Sequence, residues 1–433
     1  MPSTPSRLNT ALDRLLRTPW LYAVVVFFLV KSHDASQVEF YVAWLHGQEV
    51  GFPWAHAVLY ALYAPIYLIY LYRFATGRIR RSQEMMVVLL TLFGLLGFTT
   101  LIYHGASGYW PDWLAGLALI MIVDMGLQCE RESTLTAFSL ALGIWIFLNA
   151  AAYLAFPQGI DRLTRWRLFK TPWVLNSRVY YYRYVIPCLG FELLRAHTTR
   201  GRWPALTYGI WALALLNLAL ERGGTAILGF LLLVMLLLYC HRRALPRYIT
   251  PLTMLALSAV IFIAIYYFNI QQSFAWLLEN VFHREAARFD NRTQIWEAAV
   301  GIIRRYPLTG IGWVPVAYAK ELLTEPHTHN QLLEVLLHGG ILALIPYVGM
   351  VGLATREALR HRRFEAAKIA SFLLIVFLFM GVADIYQNDP IYYPLFFLVY
   401  RCDCLSQGDT PLPRISLAER VRRDRKKRTS TRV

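Results

Sequence analysis

Three histidines mark the point where a polar segment of the chain becomes apolar. Residues 325–346 begin Glu-Pro-His-Thr-His-Asn-Gln and continue into the apolar run Leu-Leu-Glu-Val-Leu-Leu-His-Gly-Gly-Ile-Leu-Ala-Leu-Ile-Pro. A neutral imidazole can take a proton from a weakly acidic hydroxyl near pH 7, whereas burying one close to lipid costs free energy. His329 stands at the wet mouth of a predicted helix, where it can meet both water and a substrate. We therefore predict that His329 is a general base.

The helix after His329 carries further residues of interest. At ~100° and ~1.5 Å per residue, His338 falls on the opposite face from His329 and ~13 Å deeper. It is four residues from Glu334, which favours a buried pair over a substrate contact, although both interpretations stay open. Gly340 and Ala343 return to the face of His329. Small residues there predict a groove for a lipid chain or for another helix.

A metal site is the main alternative for the first two histidines. Glu325, His327 and His329 could supply part of a zinc site, but His-x-His alone provides too few ligands. The same loop has no second cluster of ligand residues with suitable spacing. Cys402-x-Cys404 also lacks the paired spacing of a zinc-binding motif. The pattern therefore favours chemistry without a metal ion.

Arginines near the same outer boundary predict recognition of phosphate. Arg222 lies in the very short turn Glu-Arg-Gly-Gly of residues 221–224, between two apolar runs. Arg288 and Arg292 bracket the start of a predicted helix in the loop that precedes His329. Guanidinium groups bind phosphate oxygens in a bidentate manner, and a helix N-terminus adds backbone N–H donors. These groups suit a diphosphate, with snorkelling to lipid headgroups as the alternative.

A separate basic segment departs from the usual charge distribution of membrane proteins. The connection of residues 161–170 carries four basic residues against one acid, on the side that we predict to face outward: Arg162, Arg165, Arg167 and Lys170. Basic residues normally favour the cytosolic side. Two explanations stay open, an interfacial helix anchored to anionic headgroups and a docking surface for a phosphate-bearing substrate.

The composition of the whole chain predicts the elements that position these residues. Of 433 residues, 57% are hydrophobic and only 16% are charged, which excludes an ordinary soluble domain. About twelve apolar runs are long enough to span a bilayer. They lie near residues 18–32, 53–73, 86–104, 110–127, 134–156, 178–195, 204–220, 223–240, 250–268, 331–353, 367–385 and 390–404. We predict an all-α polytopic membrane protein that forms one integral membrane domain over residues 1–433.

Basic residues on alternate connections predict the orientation of these helices. They cluster on one side, in residues 73–81, 195–202, 241–247 and 356–368 and in a basic tail of residues 405–433. By the positive-inside rule both termini are then cytosolic. The same rule explains the formal net charge of +16 without an anionic partner. The one large outward loop, residues 269–330, is predicted to contain a helix that starts at Asn291 and is stopped by Pro307. An ordered loop of this length is typical of a functional element.

The histidine segment resembles the O-antigen ligase and polymerase superfamily of bacterial inner-membrane proteins. His329-Asn330 followed by Gly340 is similar to the signature of the ligases. Ala343 departs from the last position of that signature, where the family has Gly, Thr or Tyr.

Two other stretches carry the same resemblance. Arg222-Gly-Gly is similar to a Ser-Arg-Gly turn of the family, with Glu221 in place of Ser. Residues 292–296 (Arg-Thr-Gln-Ile-Trp) and 307–312 (Pro-Leu-Thr-Gly-Ile-Gly) resemble its Arg-x-x-x-Trp and Pro-Leu-x-Gly-x-Gly stretches. The likeness covers approximately residues 205–350 by motif and the whole chain by topology.

The resemblance implies a membrane glycosyltransferase with a GT-C-like architecture and a large periplasmic loop. Such an enzyme moves O-antigen polysaccharide from undecaprenyl diphosphate to lipid A–core oligosaccharide, on the periplasmic face of the bacterial inner membrane. His329 would be the base, and Arg222, Arg288 and Arg292 would neutralise the departing diphosphate. The basic segment of residues 162–170 would contact substrate, together with Asn330, His338 and Gly340. The expected partners are the two lipid-linked substrates and membrane lipids, without nucleic acid, cofactor or metal ion.

Other functions stay open at this point. A polymerase of the same superfamily would use the same donor and elongate a lipid-linked chain, but the basic segment favours a phosphate-rich acceptor and hence the ligase. Transfer of glycan to a protein is another possibility. A lipid-linked-sugar transporter would be expected to show matched half-repeats or charged residues deep within several spans, and the sequence shows neither clearly.

Overall fold

The computed structural model describes residues 7–30, 54–77, 79, 83–105, 110–157, 174–175, 180–221, 224–268, 270, 287–314, 316–325, 327–386 and 389–412. Every regular element in this part of the chain is an α-helix. The helices are α1 (Arg7–Arg17), α2 (Pro19–Val30), α3 (Trp54–Ala75), α4 (Gln83–His104), α5 (Trp110–Cys129), α6 (Arg131–Ala155), α7 (Tyr182–Thr198), α8 (Pro204–Leu220), α9 (Gly224–Tyr239), α10 (Pro251–Phe268), α11 (Ala287–Arg305), α12 (Val316–Leu323), α13 (Gln331–Arg360), α14 (Glu365–Met380), α15 (Tyr392–Tyr400) and α16 (Cys402–Leu405).

An α-helix occupies each interval in which the sequence predicts a membrane span. Four helices of the described residues, α4, α6, α10 and α13, are long and apolar enough to cross a bilayer. Shorter apolar helical segments lie at Pro19–Val30, Gly116–Cys129, Pro204–Leu220 and Gly224–Tyr239. Large hydrophobic side chains such as Phe98, Leu154 and Leu238 are exposed on these helices, which is a stable arrangement in lipid. The chain is an integral membrane protein, and the number of twelve crossings stays a prediction.

Helix α14 lies at the centre of the bundle and fixes one side of the candidate site. It packs against α7, α9, α10 and α15, and all of its residues from Ala366 to Leu378 are buried. A helix that is apolar around its whole circumference is a core helix. The short segment of residues 381–386, which follows α14 directly, is therefore held by a rigid element.

The helix of the large loop, α11, packs on the N-terminal end of α13, which directly follows His327 and His329. Its buried side chains Ile295, Trp296 and Ala299 form a small hydrophobic cluster with Leu333 and Leu337 of α13. The predicted start of this helix at Asn291 is wrong, because α11 begins at Ala287 and the expected capping residue lies inside the helix. The predicted end is confirmed, since α11 stops at Arg305 ahead of the proline.

Helix α13 is broken at Gly340, where φ is 59° and ψ is −158°. The segment of residues 307–312 inserts at the break and completes the interrupted hydrogen bonding. The N–H groups of Ile311 and Gly312 donate to the carbonyls of Leu337 and His338, at 2.8 and 2.9 Å. The N–H groups that follow Gly340 donate in turn to the carbonyls of Pro307 and Leu308, at 2.9 and 3.1 Å. Pairing these buried backbone groups with the loop stabilises the break.

The break corrects the helical-face argument made from the sequence. His329 lies outside α13 with a left-handed φ of 53°, so counting residues from it along one helix is wrong. A Cβ atom added at Gly340 would meet the backbone of Leu308 and Thr309. The loop backbone therefore fills the space in which the sequence predicts a groove for a lipid chain.

Candidate active site

The turn that carries His327 and His329 is pinned on both sides. The backbone N–H and the hydroxyl of Thr328 donate to Oε2 of Glu334, at 2.9 and 2.8 Å. The indole N–H of Trp296, on α11, donates to the carbonyl of Thr328 at 2.8 Å. Because Thr328 is fully buried between the two histidines, these bonds fix the position of both imidazoles.

The two imidazoles touch each other. Their ring centroids are 4.0 Å apart in an edge-to-face arrangement, and the backbone N–H of His329 donates to Nδ1 of His327 at 3.3 Å. Both rings are half-buried. His327 thus lies directly behind His329, where it limits the rotation of that side chain.

The start of α13 is bonded to the segment that follows α14. Asn330 caps α13 by accepting from the N–H of Leu333 at 3.0 Å, and its Nδ2 donates to the carbonyl of Val382 at 3.2 Å. Gln331 donates its N–H to the carbonyl of Gly381 at 2.8 Å, and its Oε1 accepts from the N–H of Tyr386 at 2.6 Å. These bonds bring His329 next to the residues around position 384.

A buried ion pair lies in this neighbourhood. Nη2 of Arg183, at the start of α7, donates to Oδ1 of Asp384 at 2.7 Å. The phenol of Tyr182 donates to the other carboxylate oxygen of Asp384. The guanidinium of Arg183 also lies 4.5 Å from the ring centre of Tyr180 and 5.4 Å from that of Tyr386. Burial alone would raise the pKa of Asp384, but Arg183 and the Tyr182 phenol together lower it below its usual value.

Burial, with a smaller effect of nearby groups, keeps both imidazoles neutral by lowering the pKa of each. Burial and then Arg292 lower the pKa of His329 to about 4. Burial and the neighbouring His329 lower the pKa of His327 to about 3. Asp384 raises the pKa of both rings, and Arg183 lowers it. At pH 7 each imidazole is therefore free to accept a proton, which a general base requires.

Arg292 faces this same group from the loop helix. Burial lowers the pKa of its guanidinium, while Asp384, Tyr182 and Tyr180 raise it. The structure thus places two guanidinium groups, from α7 and α11, within electrostatic reach of His329. Arg292 was predicted from the sequence, whereas Arg183 was not.

Some predicted site residues lie outside the described part of the chain. They are Arg222 and the basic segment Arg162, Arg165, Arg167 and Lys170; the side chain of Arg288 on α11 is also not described. The residue before Arg222 is described: Oε2 of Glu221 accepts from the backbone N–H of Tyr182 at 2.9 Å. Glu221 is therefore bonded to the start of α7, at the residue that neighbours Arg183.

His338 has the contacts of a packed core residue. Its ring stacks on the indole of Trp313 with 4.4 Å between centroids, and only 4% of its surface is exposed. Its Nδ1 lies 2.9 Å from the carbonyl oxygen of Glu334 and 3.7 Å from the Glu334 carboxylate. Asn330 and Gly340, in the same segment, shape the backbone as helix cap and helix break.

Arg183 and Asp384 are the main residues that the sequence argument missed. Both fall inside intervals that the sequence predicts to be apolar spans, 178–195 and 367–385. An ionisable residue within such an interval is by itself an indication of function. That signal was present for both residues.

Among the described residues, no group of three or more histidine, cysteine or acidic side chains is arranged to hold a metal ion. The described residues define an integral membrane protein in which a histidine lies within electrostatic reach of two arginines, at the N-terminal end of a broken helix. Residues 208–348 match the family model described as O-antigen ligase. The match covers about a third of the chain, and it supports the resemblance to the O-antigen ligase and polymerase superfamily that the motifs predict. No curated protein matches the chain. The matched residues include α11, the inserted loop and His329, whereas Arg183 and Asp384 lie outside them.

Proposed function

We propose that this protein transfers O-antigen polysaccharide from undecaprenyl diphosphate to lipid A–core oligosaccharide, on the periplasmic face of the bacterial inner membrane. Members of the superfamily are membrane glycosyltransferase-like enzymes that include ligases and polymerases. The observation that supports the proposal is the neutral His329 beside Arg292 and Arg183, within and next to the family-matched segment. A base and phosphate-binding cations are the two things that this transfer needs from a protein.

In the proposed reaction, Nε2 or Nδ1 of His329 takes the proton from a sugar hydroxyl of the acceptor. The oxygen attacks the anomeric carbon of the donor sugar while the bond from that carbon to the diphosphate breaks. The electron pair leaves with the diphosphate, whose developing charge is stabilised by Arg292 and Arg183. Arg222 and Arg288 are proposed to contact the same group, as the resemblance implies.

Binding of the donor would strengthen the base. In the free protein, burial and Arg292 hold the pKa of His329 at about 4, which makes it a weak acceptor of protons. A diphosphate bound between the guanidinium groups would offset their positive charge and raise this pKa toward its ordinary value. The imidazole would then be an effective base only when a donor is in place.

Asp384 and His327 are proposed to position the reacting groups. Asp384 holds the guanidinium of Arg183 from one side and the phenol of Tyr182 from the other. His327 supports His329 through its ring contact and through the backbone hydrogen bond to Nδ1. Neither residue needs to touch substrate in this role.

The proposal also includes the predicted topology. Both termini would be cytosolic, with residues 269–330 as a periplasmic loop and residues 405–433 as a cytosolic tail. The basic segment of residues 162–170 would then meet the phosphates of the acceptor. This arrangement puts both substrates on the side of the membrane where His329 opens to water.

The decisive experiment offers two acceptors to the purified protein in lipid vesicles. Lipid-linked O-antigen is supplied as donor, with lipid A–core and a second lipid-linked glycan in parallel. Consumption of lipid A–core supports the ligase, and elongation of the second lipid-linked glycan would instead show a polymerase. Movement of the donor across the bilayer without chemical turnover would overturn the proposal in favour of a transporter.

A further inference from the structure

Glu221 is a buried acid with one unused oxygen next to the candidate site. It follows α8 directly, and only 8% of its surface is exposed. Its Oε2 accepts the N–H of Tyr182, at the start of α7, at 2.9 Å. Its Oε1 is buried and forms no hydrogen bond with any described group. A buried polar atom without a partner is costly, which points to a ligand that supplies one.

Burial, one hydrogen bond and two nearby charges together determine the protonation of this carboxyl. Two charged groups influence the pKa of Glu221: Asp384, on the segment after α14, and Arg183, on α7. Burial is the largest effect and raises the pKa of Glu221 to about 9; the bond from Tyr182 and the charge of Arg183 oppose the rise, and Asp384 adds to it. Glu221 is therefore a neutral carboxylic acid at pH 7. Because Oε2 already accepts a hydrogen bond, the proton belongs on Oε1.

We propose that Oε1 of Glu221 donates a hydrogen bond to a phosphate oxygen of the lipid diphosphate donor. This inference rests on the proposed function, and it assigns a binding role to a position where the resembled family motif has Ser. A diphosphate supplies acceptor oxygens and no donors, so it satisfies a lone O–H group. It also matches the surroundings, because the guanidinium of Arg183 lies beside the residue to which Glu221 is bonded.

A neutral acid differs from a carboxylate in this position. An ionised Glu221 would repel the diphosphate and would leave two buried carboxylates, its own and that of Asp384, close to each other. The protonated form contributes a donor without adding negative charge. Donor affinity should therefore fall when the pH rises through the range in which Glu221 ionises.

The test measures binding of undecaprenyl diphosphate to the full chain in detergent at pH 7.5 and at pH 10. Over this range the ligand stays fully ionised. We expect wild-type affinity to fall about tenfold at the higher pH, as one charge-assisted hydrogen bond is lost and repulsion appears. Glu221→Gln keeps an acceptor for Tyr182 and an N–H donor for the ligand, so its affinity should change less than about threefold with pH.

Two further variants separate binding from folding. Glu221→Ala should bind undecaprenyl diphosphate about tenfold more weakly at pH 7.5, with undecaprenyl phosphate affected less. Glu357→Gln is the matched control, since Glu357 is equally buried (8% exposed) but pairs with Arg356 and Arg360 at the other end of α13. Its binding should keep the wild-type pH dependence.

The outcomes distinguish the inference from the proposed function. Wild-type glycan transfer combined with the same pH dependence of binding in wild type and Glu221→Gln would overturn the role of Glu221 alone. Absence of both transfer and diphosphate binding in the wild-type protein would overturn the proposed function, and the inference with it.

Discussion

At the residue scale, the position of His329 determines what the site can do. Its ring is neutral, packed against His327, and placed by a turn that Thr328 and Trp296 hold. We expect His329→Ala to lower glycan transfer by at least ~100-fold, because the acceptor hydroxyl loses its base. The measurement is initial rate with lipid-linked donor and lipid A–core, at equal protein abundance in the membrane.

His361 provides a matched control for this substitution. It is a partly buried histidine at the end of α13, near Glu357, and it lies far along the chain from the candidate site. His361→Ala should keep the wild-type rate. Full activity of His329→Ala would remove this residue from the mechanism.

The electrostatics of His329 predict that kcat and kcat/KM decline in acid at different pH values. The base must be neutral, so activity is lost as pH falls through its pKa. In the free protein that pKa is about 4, and kcat/KM should therefore decline only in acid. With a bound diphosphate offsetting Arg292 and Arg183, the pKa is higher, so kcat should decline at a higher pH than kcat/KM. A decline of kcat and of kcat/KM at the same pH would contradict a diphosphate bound beside His329.

Arg183 and Asp384 should behave as one unit. Asp384→Asn removes the charge that holds the guanidinium, and Arg183→Lys replaces a planar fork with a single ammonium. Each substitution should lower transfer by about 10- to 100-fold, and the double variant should be little worse than either single one. Initial rates of the three variants give the coupling. Simple additivity would show that the two residues act independently.

At the element scale, the break in α13 should be essential for stability. Gly340 has a backbone conformation that other residues avoid, and a side chain there would press on Leu308 and Thr309. We expect Gly340→Ala to cost roughly 2–5 kcal/mol, from backbone strain and overpacking. Gly352, on the same helix, has nothing within 4 Å of an added Cβ. Thermal unfolding in detergent should show a large loss for Gly340→Ala and almost none for Gly352→Ala.

The sequence predicts the positions of helices better than their interruptions. A span needs a continuous apolar run, so each run is visible locally, and a helix was found in every predicted interval. The break at Gly340 depends on a loop about thirty residues earlier, which local periodicity does not contain. The early start of α11 at Ala287 was missed for a related reason: Asn291 resembles a cap, but the helix continues through it.

The site shows the same limit. His329 and Arg292 were identified because each stands in a recognisable local motif. Arg183 and Asp384 are about two hundred residues apart, and only the packing of α7 against α14 brings them together. The one local sign of each residue is a charge near the end of an apolar interval, which by itself indicates function.

At the scale of the whole molecule, charge should decide which acceptor is used. The basic segment of residues 162–170 is proposed to face the periplasm, where lipid A–core carries phosphate groups. Under the proposed function, four cations there would attract the phosphate-rich acceptor, while other arginines would bind the diphosphate of the donor. We therefore expect the acceptor preference to depend on topology as much as on the active site.

Neutralising the four cations should raise KM for the acceptor selectively. The variant carries Gln at the four positions Arg162, Arg165, Arg167 and Lys170. We expect its KM for lipid A–core to rise about tenfold, while kcat and the affinity for undecaprenyl diphosphate change little, because electrostatic attraction acts on capture of the acceptor. Higher salt should reduce the difference in KM between the wild type and this variant, since it screens exposed charges.

A control with the same change in net charge locates the effect. Four exposed arginines on connections that we predict to be cytosolic are changed to Gln instead: Arg200, Arg242, Arg243 and Arg247. This variant has lost as much positive charge, but on the face opposite the acceptor, so its KM should stay at the wild-type value. An equal rise in both variants would show that only net charge matters. An unchanged KM in the first would assign residues 162–170 to anchoring in headgroups, because a surface that binds the bilayer itself has no reason to distinguish one acceptor from another.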